Sequence, residues 1–413
     1  MYKIFTKIIT SRISNTLDEN QPREQAGFRK GYSTMDHLHT VNQMIEKTSE
    51  YRIPLAVAFV DYSKAFDSVE ISEVISALSE QGIQTAYIKV LKHIYRYSQA
   101  YIRLHEDSKP FPLARGVRQG DTSSPKLFTA CLEKIFRKLD WSLSGIKIDG
   151  EYLSHLRFAD DIILFASDLE GIQKMLIDLN IESKKVGLSM NFQKTKVMCN
   201  KFVSHPEHAV ELENKRIENV NSYTYLGQEI SMESSKEQEI KRRISLTWQA
   251  FGKASSIFKN RKIPIVLKRR VYDQCVLPTL TYGAETWNLT KKLSLKIRTM
   301  QRTHERIMLG LTWRDHKTAK WIREKTKVRD VLETVSYLKW KWAGHVCRMT
   351  DNRWTVRATN WTPRGTTRKQ GHQKTRWRDD LDKFQKSWQR STTDRKKWKH
   401  MGKAYVQQRT FTG

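Results

Sequence analysis

Two adjacent aspartates, Asp160 and Asp161, lie inside an otherwise apolar segment, LRFADDIILFA (156–166). At about 4 Å and an effective dielectric constant near 20, two such carboxylates repel each other by roughly 4 kcal/mol. Folding alone therefore gives no reason to bring them together in a segment whose neighbours are being buried. We infer that a positive group, such as a bound cation, offsets their charges.

The segments around these aspartates predict strands. Residues 55–60 (LAVAFV) form a continuous apolar run, which is typical of a strand covered on both faces, and the run ends at Asp61. Residues 152–158 and 162–166 also have the composition of strands, so Asp160 and Asp161 would lie in a hairpin turn. Pairing between these strands would gather three carboxylates at one edge of a sheet.

Two helices are predicted beside the strands. Apolar residues recur at helical spacing from 71 to 78 and stop near Gly82, and Asp67 with Glu70 has the spacing of a capping box at the start. A second helix is predicted to begin at Ser167 and to end at Gly187. From 237 onward the pattern is long, basic and helical, with breaks at Pro264 and Pro278. Strands and helices in this order predict an α+β domain up to about residue 230.

The positive charge of the chain is confined to its second part. Residues 1–240 contain 31 Lys and Arg against 32 Asp and Glu, whereas residues 241–413 contain 43 against 12. Eleven of the 12 tryptophans also lie in this second part. Cations interleaved with aromatic rings suit a nucleic-acid strand, although a basic surface over Trp-rich helices would give the same composition.

Composition also argues against several classes of protein. No apolar run approaches the roughly 18 residues of a transmembrane helix, and no secretory signal is evident, so we expect no membrane partner. The four cysteines are far apart, which disfavours a disulfide framework, and His345 with Cys347 lacks the second pair that a zinc site needs. A nuclease centred on Asp379, Asp380 and Asp382 is disfavoured because no basic catalytic partner stands at a diagnostic spacing.

Five ordered segments resemble the successive motifs of reverse transcriptases from non-LTR (LINE-type) retrotransposons. The segments are FVDYSKAFDSV (59–69), ARGVRQGDTSSPKLF (114–128), RFADDIILFA (157–166), GLSMNFQKTKVM (187–198) and YTYLGQEI (223–230), preceded by the similar QAGFRKGYSTMDHL (25–38). The resemblance implies a right-hand polymerase with partial fingers (1–50), a palm (51–230), a mainly helical thumb (231–312) and a basic Trp-rich carboxy-terminal region (313–413). It implies an RNA template, a DNA primer and deoxynucleoside triphosphates as partners.

The resemblance also implies a metal site. Asp61 and Asp160 would bridge two Mg²⁺ ions, with Asp161 completing the set, and Lys194 would be the acid that protonates the departing pyrophosphate. A strand-end cap remains the structural alternative for Asp61, and a solvated surface residue for Lys194. Asp67 is expected to be structural.

Further roles follow from the same motifs. Phe66 would lie under the incoming sugar and exclude a 2′-hydroxyl, unless it is simply a core residue. Gln119 and Gly120 would form the loop against the incoming nucleotide, or a generic turn before Pro125. The residues of a primer-gripping hairpin would be Tyr225, Leu226 and Gly227, which periodicity alone would describe as another β-turn.

The sequence leaves two functions open. The chain begins after the finger strands that hold the triphosphate in this family, and it carries no endonuclease domain, so we expect an amino-terminally truncated copy. The first interpretation is an RNA-directed DNA polymerase that extends a primer 3′-end and resides in nucleus and cytoplasm as a ribonucleoprotein. The alternative is a catalytically inactive relic that still binds nucleic acid through its basic part.

Overall fold

The computed structural model describes residues 1–103, 105, 108–233, 235–364 and 374–412. The helices in these ranges are α1 (Tyr2–Glu19), α2 (Thr34–Tyr51), α3 (Ala65–Ser68), α4 (Ile71–Glu80), α5 (Thr85–Arg96), α6 (Ser124–Phe136), α7 (Leu169–Lys185), α8 (Glu237–Lys253), α9 (Ser255–Phe258), α10 (Ile265–Val271), α11 (Leu277–Thr281), α12 (Lys291–Leu309), α13 (Ala319–Thr326), α14 (Val331–Cys347), α15 (Trp354–Asn360), α16 (Asp379–Phe384), α17 (Trp388–Ser391) and α18 (Arg395–Thr412). A π-helix covers Tyr272–Val276, and 3-10 helices cover Ala284–Thr286 and Trp313–Asp315.

The strands are mostly short. They are β1 (Ala56–Val60), β2 (Gln99–Ala100), β3 (Phe111–Pro112), β4 (Ile146–Ile148), β5 (Glu151–Leu153), β6 (His155–Phe158), β7 (Asp161–Ala166), β8 (Lys196–Cys199), β9 (Glu211–Leu212), β10 (Lys215–Arg216), β11 (Glu218–Asn219), β12 (Ser222–Tyr225) and β13 (Gln228–Ser231). None of the helices in the described ranges is both long and apolar enough to cross a bilayer.

The chain divides into two units. The first contains Met1–His37, Lys47–Leu226 and the described residues of Asn360–Thr366, and the second contains Leu38–Glu46, Gly227–Thr359 and the described residues after 366. This division does not test the predicted functional boundaries at 50, 230 and 312, which remain predictions.

The first unit is built on a mixed five-stranded sheet with the strand order β11-β8-β1-β7-β6. The pairing of β11 with β8 is parallel, and the other pairings are antiparallel. Every residue of the central strand β1 is buried, as the continuous apolar run predicts. Alternate residues of β1 (Ala56, Ala58 and Val60) belong to a core shared with α4, α6 and α7. The α+β class expected from the sequence is confirmed.

The pattern of residues 152–158 predicts one strand, and this prediction is wrong in detail. The segment forms two strands, because β5 pairs with β4 whereas β6 pairs with β7. The predicted hairpin is confirmed, since Phe158 of β6 pairs with Asp161 of β7 and leaves Ala159 and Asp160 as the turn.

Both predicted helix starts need correction. Helix α4 covers the predicted residues, but its N-cap is Glu70, and Asp67 lies in the separate short helix α3. Helix α7 begins at Leu169 with Asp168 as its N-cap, one position after the predicted Ser167, because the Asp168 side chain accepts the backbone N–H of Gly171 at 2.6 Å. An aspartate carboxylate is as good an N-cap as serine, so the spacing rule alone does not choose between neighbours.

The second unit is helical around a large apolar core. Helix α10 begins after Pro264, as predicted, but Pro278 lies in the first turn of α11 and does not break the helical path. Tryptophan side chains contribute much of the buried volume, and Trp340 stacks on Trp398 at 3.7 Å between ring centroids. The buried tryptophans of this unit are Trp287, Trp340, Trp342, Trp354, Trp377, Trp388 and Trp398. These rings serve the core and are not available to stack on bases.

Candidate active site

The strand register places the predicted carboxylates at one end of the sheet. Val60, the last residue of β1, pairs with Ile162 of β7. Because the strands are antiparallel, Asp61, which follows Val60, lies beside Asp161, which precedes Ile162. Asp160 precedes Asp161 in the hairpin turn. An antiparallel pairing thus brings residues that are 100 positions apart in sequence to the same edge.

The charges of these carboxylates affect one another. Burial raises the pKa of the Asp160 carboxyl, and the charge of Asp61 raises it further. Burial, together with the charges of Asp160 and Asp61, raises the pKa of Asp161 to about 6. A carboxylate whose pKa is raised by like charges is stabilised by any cation placed between those charges. The arrangement is therefore electrostatically suited to a cation.

Asp61 supplies a second observation that fits a metal. Its Oδ2 atom is buried and has no hydrogen-bond partner in the described residues. The nearest cation is Lys194, whose Nζ atom is 3.8 Å away. Oxygen ligands are those that Mg²⁺ prefers. Across the described ranges, however, no three His, Cys, Asp or Glu side chains already stand as a group that could hold an ion, so the predicted ligand set remains a prediction.

The aspartate turn is held by a segment near the amino terminus. The Gln25 Oε1 atom accepts the backbone N–H groups of Gly27 at 2.8 Å and of Ala159 at 3.2 Å. The backbone N–H of Ala26 donates to the Arg157 carbonyl at 2.9 Å. Ala159 has a φ of 58°, an unfavourable value for a residue with a side chain. These contacts fix the turn that carries Asp160.

The supporting role of these residues was not predicted from the sequence. The segment QAGF (25–28) was recognised only as a motif, and Arg157 was counted within a strand. Arg157 is 1% exposed and donates to Glu133 at 2.8 Å, with its guanidinium over the Phe136 ring at 4.1 Å. A charged residue between two apolar residues of a strand is the signal that could have indicated a buried ion pair.

The Lys194 segment is fixed beside Asp61 by the backbone. The N–H of Asn191 donates to the Asp61 carbonyl at 2.8 Å, and the N–H of Asp61 donates to Thr195 Oγ1 at 3.3 Å. The Lys194 side chain itself is 68% exposed. A tethered backbone with a mobile cationic side chain is compatible with proton donation, and it equally describes a solvated surface lysine.

The predicted nucleotide-binding residues lie around α3. Phe66 stacks on Phe128 with ring centroids 4.5 Å apart, and it is only partly buried. The Gln119 Nε2 atom donates to both carboxylate oxygens of Asp67 at 3.1 Å. Gly120 has a φ of 80°, a backbone conformation that favours glycine at the turn. Asp67 therefore holds the Gln119 side chain in place. This contact differs from the helix-capping role that the sequence predicts for Asp67.

The predicted primer-binding residues lie at the end of the first unit and the start of the second. Tyr225 is 2% exposed, and its hydroxyl is 3.4 Å from Nδ1 of His37. The turn after it has positive φ values at Leu226 (44°) and Gly227 (76°). Tyr223, which the sequence analysis did not single out, stacks on Phe59 at 4.3 Å. Burial and the charges of the nearby aspartates raise the pKa of Tyr223 to about 12, so its hydroxyl stays protonated near the acidic site.

The aspartates considered for a nuclease are neutralised. Each one forms an ion pair with a basic side chain: Asp379 with Arg376, Asp380 with Lys339, and Asp382 with Arg378. Carboxylates bound in this way are poor candidates for a shared cation site, and the structure adds no support to a nuclease.

Comparison with known proteins identifies relatives of the whole first part of the chain. Residues 1–230 match the family described as reverse transcriptase (RNA-dependent DNA polymerase). A putative uncharacterized transposon-derived protein of Caenorhabditis elegans is 34% identical over 272 residues, which is 61% of this chain and 96% of that protein. The probable RNA-directed DNA polymerases from transposon BS and from the X-element of Drosophila melanogaster are 25% and 24% identical over 70% and 80% of this chain.

The match to solved structures is weaker. An apo telomerase structure from Candida tropicalis aligns with 86% of this chain and 60% of its own length, at 13% identity and a TM-score of 0.45. The chain spans 33% and 36% of the two Drosophila proteins, so the activities in their names belong to much longer chains. The family match nevertheless covers more than half of this chain. The chain belongs to the reverse transcriptase family and is related to the enzymes of non-LTR, LINE-type retrotransposons, as its motifs predict.

Proposed function

We propose that this chain is an RNA-directed DNA polymerase of a LINE-type element, which extends a DNA primer on an RNA template. The observation that carries the proposal is the register of β1 against β7, because it brings Asp61 to the end of the sheet where Asp161 begins its strand. The polymerase relatives and the family match support the same reaction. Within this proposal the first unit supplies the palm, with partial fingers before it, and the helical second unit supplies the thumb and the basic carboxy-terminal region.

Asp61, Asp160 and Asp161 would hold two Mg²⁺ ions. Such ions, when bound, would stabilise the attacking and leaving oxygens of a phosphoryl transfer. The unpartnered Asp61 oxygen and the raised pKa values of the aspartate pair support this assignment. The support from Gln25 and Gly27 keeps the turn at Asp160 in one conformation, so the carboxylates need little reorganisation before they act.

The other predicted residues position the substrates. Lys194 would donate a proton from Nζ to the leaving pyrophosphate, and the Phe66 ring would lie under the sugar of a deoxynucleoside triphosphate. Gln119 and Gly120 would contact the incoming nucleotide. The turn at Tyr225, Leu226 and Gly227 would direct the primer 3′-hydroxyl toward the carboxylates, since orientation alone supplies a large part of the rate enhancement.

Primer extension tests the proposal. Purified chain should extend a labelled DNA primer annealed to RNA in the presence of Mg²⁺ and deoxynucleoside triphosphates. The double variant Asp160→Asn, Asp161→Asn should lose extension, whereas Asp149→Asn should not. Asp149 is exposed and has a φ of 47°, which asparagine adopts readily, so it is a matched control for loss of one carboxylate.

The inactive relic is the second outcome of this experiment. A folded wild-type chain that binds RNA but extends no primer under any of these conditions would reject the polymerase and support the relic. For the active enzyme we propose residence in nucleus and cytoplasm within a ribonucleoprotein. Fractionation of cells that express a tagged chain, with and without ribonuclease, checks this part separately.

A further inference from the structure

The second unit contains a cavity of about 360 Å³. Its residues lie more than 100 positions after Asp160 and Asp161 in the sequence. It is lined by Arg269, Arg270, Asp273, Gln274, Lys327 and Arg329. The first two residues belong to α10, the next two to the π-helix, and the last two to the connection between α13 and α14. Cavities of this size accommodate small ligands, but such sites are usually apolar, whereas this one is lined by charged and polar side chains.

The charges around the cavity are not balanced. Four cations face a single carboxylate, that of Asp273. The Arg329 Nε atom lies 4.0 Å from Asp273 Oδ2, at the limit of an ion pair. Within the described part of the chain, the side chains of Arg269, Arg270 and Lys327 form no ion pair. Like charges that converge without counterions favour an anion between them.

The neighbouring carboxylates are already occupied. Glu305 pairs with Arg302 at 3.1 Å and with Arg323 at 2.9 Å, and Asp330 pairs with the same two arginines at 2.9 and 3.4 Å. Two cations therefore match two anions in this network. Asp273 is therefore the one acidic side chain among the residues that line the cavity.

The wall of the cavity is held in place by the same network. The Arg323 Nη1 atom donates to the Val328 carbonyl at 2.8 Å, and the Gln301 Nε2 atom donates to the Arg329 carbonyl at 2.7 Å. The backbone N–H of Arg329 donates to Asp273 Oδ1 at 3.3 Å. The π-helix carries two further lining residues, Asp273 and Gln274, and π-helical turns occur often at functional sites. The cations are thus presented by a fixed backbone.

We propose that this cavity binds a backbone phosphate of a single-stranded nucleic acid. Guanidinium groups match the oxygens of a phosphate, and the 43 basic residues against 12 acidic ones after residue 240 favour a polyanion over a free small anion. The choice of a nucleic acid as the source of the phosphate rests on the proposed function. The anion site itself depends only on the geometry of the second unit.

The first test compares two double variants of equal charge change. Arg270→Gln with Lys327→Gln removes two cavity cations that form no ion pair with any described residue, and Lys396→Gln with Lys397→Gln removes two exposed cations on α18. Binding of a labelled single-stranded RNA is measured by anisotropy over a range of salt, without Mg²⁺ or nucleotides. We expect the cavity variant to bind about tenfold more weakly and its log–log salt slope to fall by about 0.7, the value for one phosphate contact. Equal losses in both variants would overturn the proposal.

The second test uses a gain of affinity, which a folding defect cannot produce. Asp273→Asn removes the one acidic side chain of the cavity while its side-chain oxygen can still accept the Arg329 N–H. We expect RNA to bind severalfold more tightly, and unchanged or weaker binding would overturn the proposal.

Inorganic phosphate distinguishes the source of the anion. A cavity variant that loses affinity for inorganic phosphate but keeps its affinity for RNA would show a free-anion site and overturn the strand assignment. Since both tests measure binding without polymerisation, failure of primer extension leaves their outcome unaffected.

Discussion

Gly27 lies directly against Ala159, the first residue of the aspartate turn. A β-carbon at Gly27 would be 2.3 Å from the backbone nitrogen of Ala159, which is closer than atoms can approach. Gly27→Ala should therefore displace the turn or the segment that supports it. Overpacking of this kind costs about 1–3 kcal/mol.

We predict that Gly27→Ala lowers the free energy of unfolding by this amount and reduces primer extension by more than the loss of folded protein explains. Urea denaturation and extension assays measure the two effects. Gly252→Ala is the control, because a β-carbon there meets no atom within 4 Å in helix α8. A fully active, stable Gly27→Ala variant would show that the turn is not held by this contact.

A buried ion pair lies directly before the same turn. Arg157 is 1% exposed and pairs with Glu133, which also pairs with the accessible side chain of Arg137. Glu133→Gln would leave the Arg157 charge buried without its partner, and loss of one member of such a pair costs about 3–5 kcal/mol. Arg137→Ala removes a solvent-screened pair, which contributes about 0–1 kcal/mol, and two exposed hydrogen bonds from the guanidinium to Asn20. Thermal and urea unfolding of both variants should show this asymmetry, and equal effects would contradict it.

The buried imidazole of His37 predicts a pH dependence of stability. Burial lowers the pKa of His37 to about 3, and the charge of Arg157 adds to the effect. Between pH 6.5 and pH 3 the unfolded chain binds a proton at this residue while the folded chain does not, so stability falls as the pH is lowered.

The expected slope from this one group is about 1.4 kcal/mol per pH unit over that window. His37→Gln carries no proton in either state, so its unfolding free energy should depend on pH less steeply than that of the wild type by this amount. Urea denaturation between pH 4 and pH 6.5 measures the difference. Parallel pH profiles for the two proteins would show that His37 is protonated in the folded chain.

The parts of the fold that follow from local patterns were predictable from the sequence. The apolar run of β1 and the helical spacing of α4 both appear where expected, because each depends on neighbours within a few residues. The hairpin at Asp160 was also predictable, since the two predicted strands, 152–158 and 162–166, flank only three residues, and the structure pairs Phe158 with Asp161. The strand patterns predicted that Asp61 would come to the same sheet edge as Asp160 and Asp161, but the register that aligns β1 with β7 joins distant segments and was not predictable from periodicity.

The supporting contacts could not be predicted, because they join segments far apart in the chain. The Gln25 side chain accepts a hydrogen bond from Ala159, 134 positions away, and Arg157 of β6 forms an ion pair with Glu133 of α6. Choice of helix caps failed for a different reason: Ser167 and Asp168 are both good caps, and only the backbone conformation selects the second. The burial of the tryptophans was likewise hidden, since composition does not distinguish a core ring from an exposed one.

Phe66 allows a prediction about which sugar the enzyme accepts. Its ring stacks on Phe128, lies 6.4 Å from the Phe28 ring in an edge-to-face arrangement, and remains partly accessible. If the ring lies under the incoming sugar, Phe66→Val should permit ribonucleotides to be incorporated, because a smaller side chain leaves room for the 2′-hydroxyl. Single-nucleotide extension with deoxynucleotides and with ribonucleotides measures the ratio of the two incorporation rates.

Phe128→Leu is the matched control for this prediction. It removes the stacking partner at a cost of about 1–3 kcal/mol but keeps the Phe66 ring, so we expect lower stability with unchanged sugar discrimination. An unchanged incorporation ratio for Phe66→Val in active protein would assign Phe66 to the core.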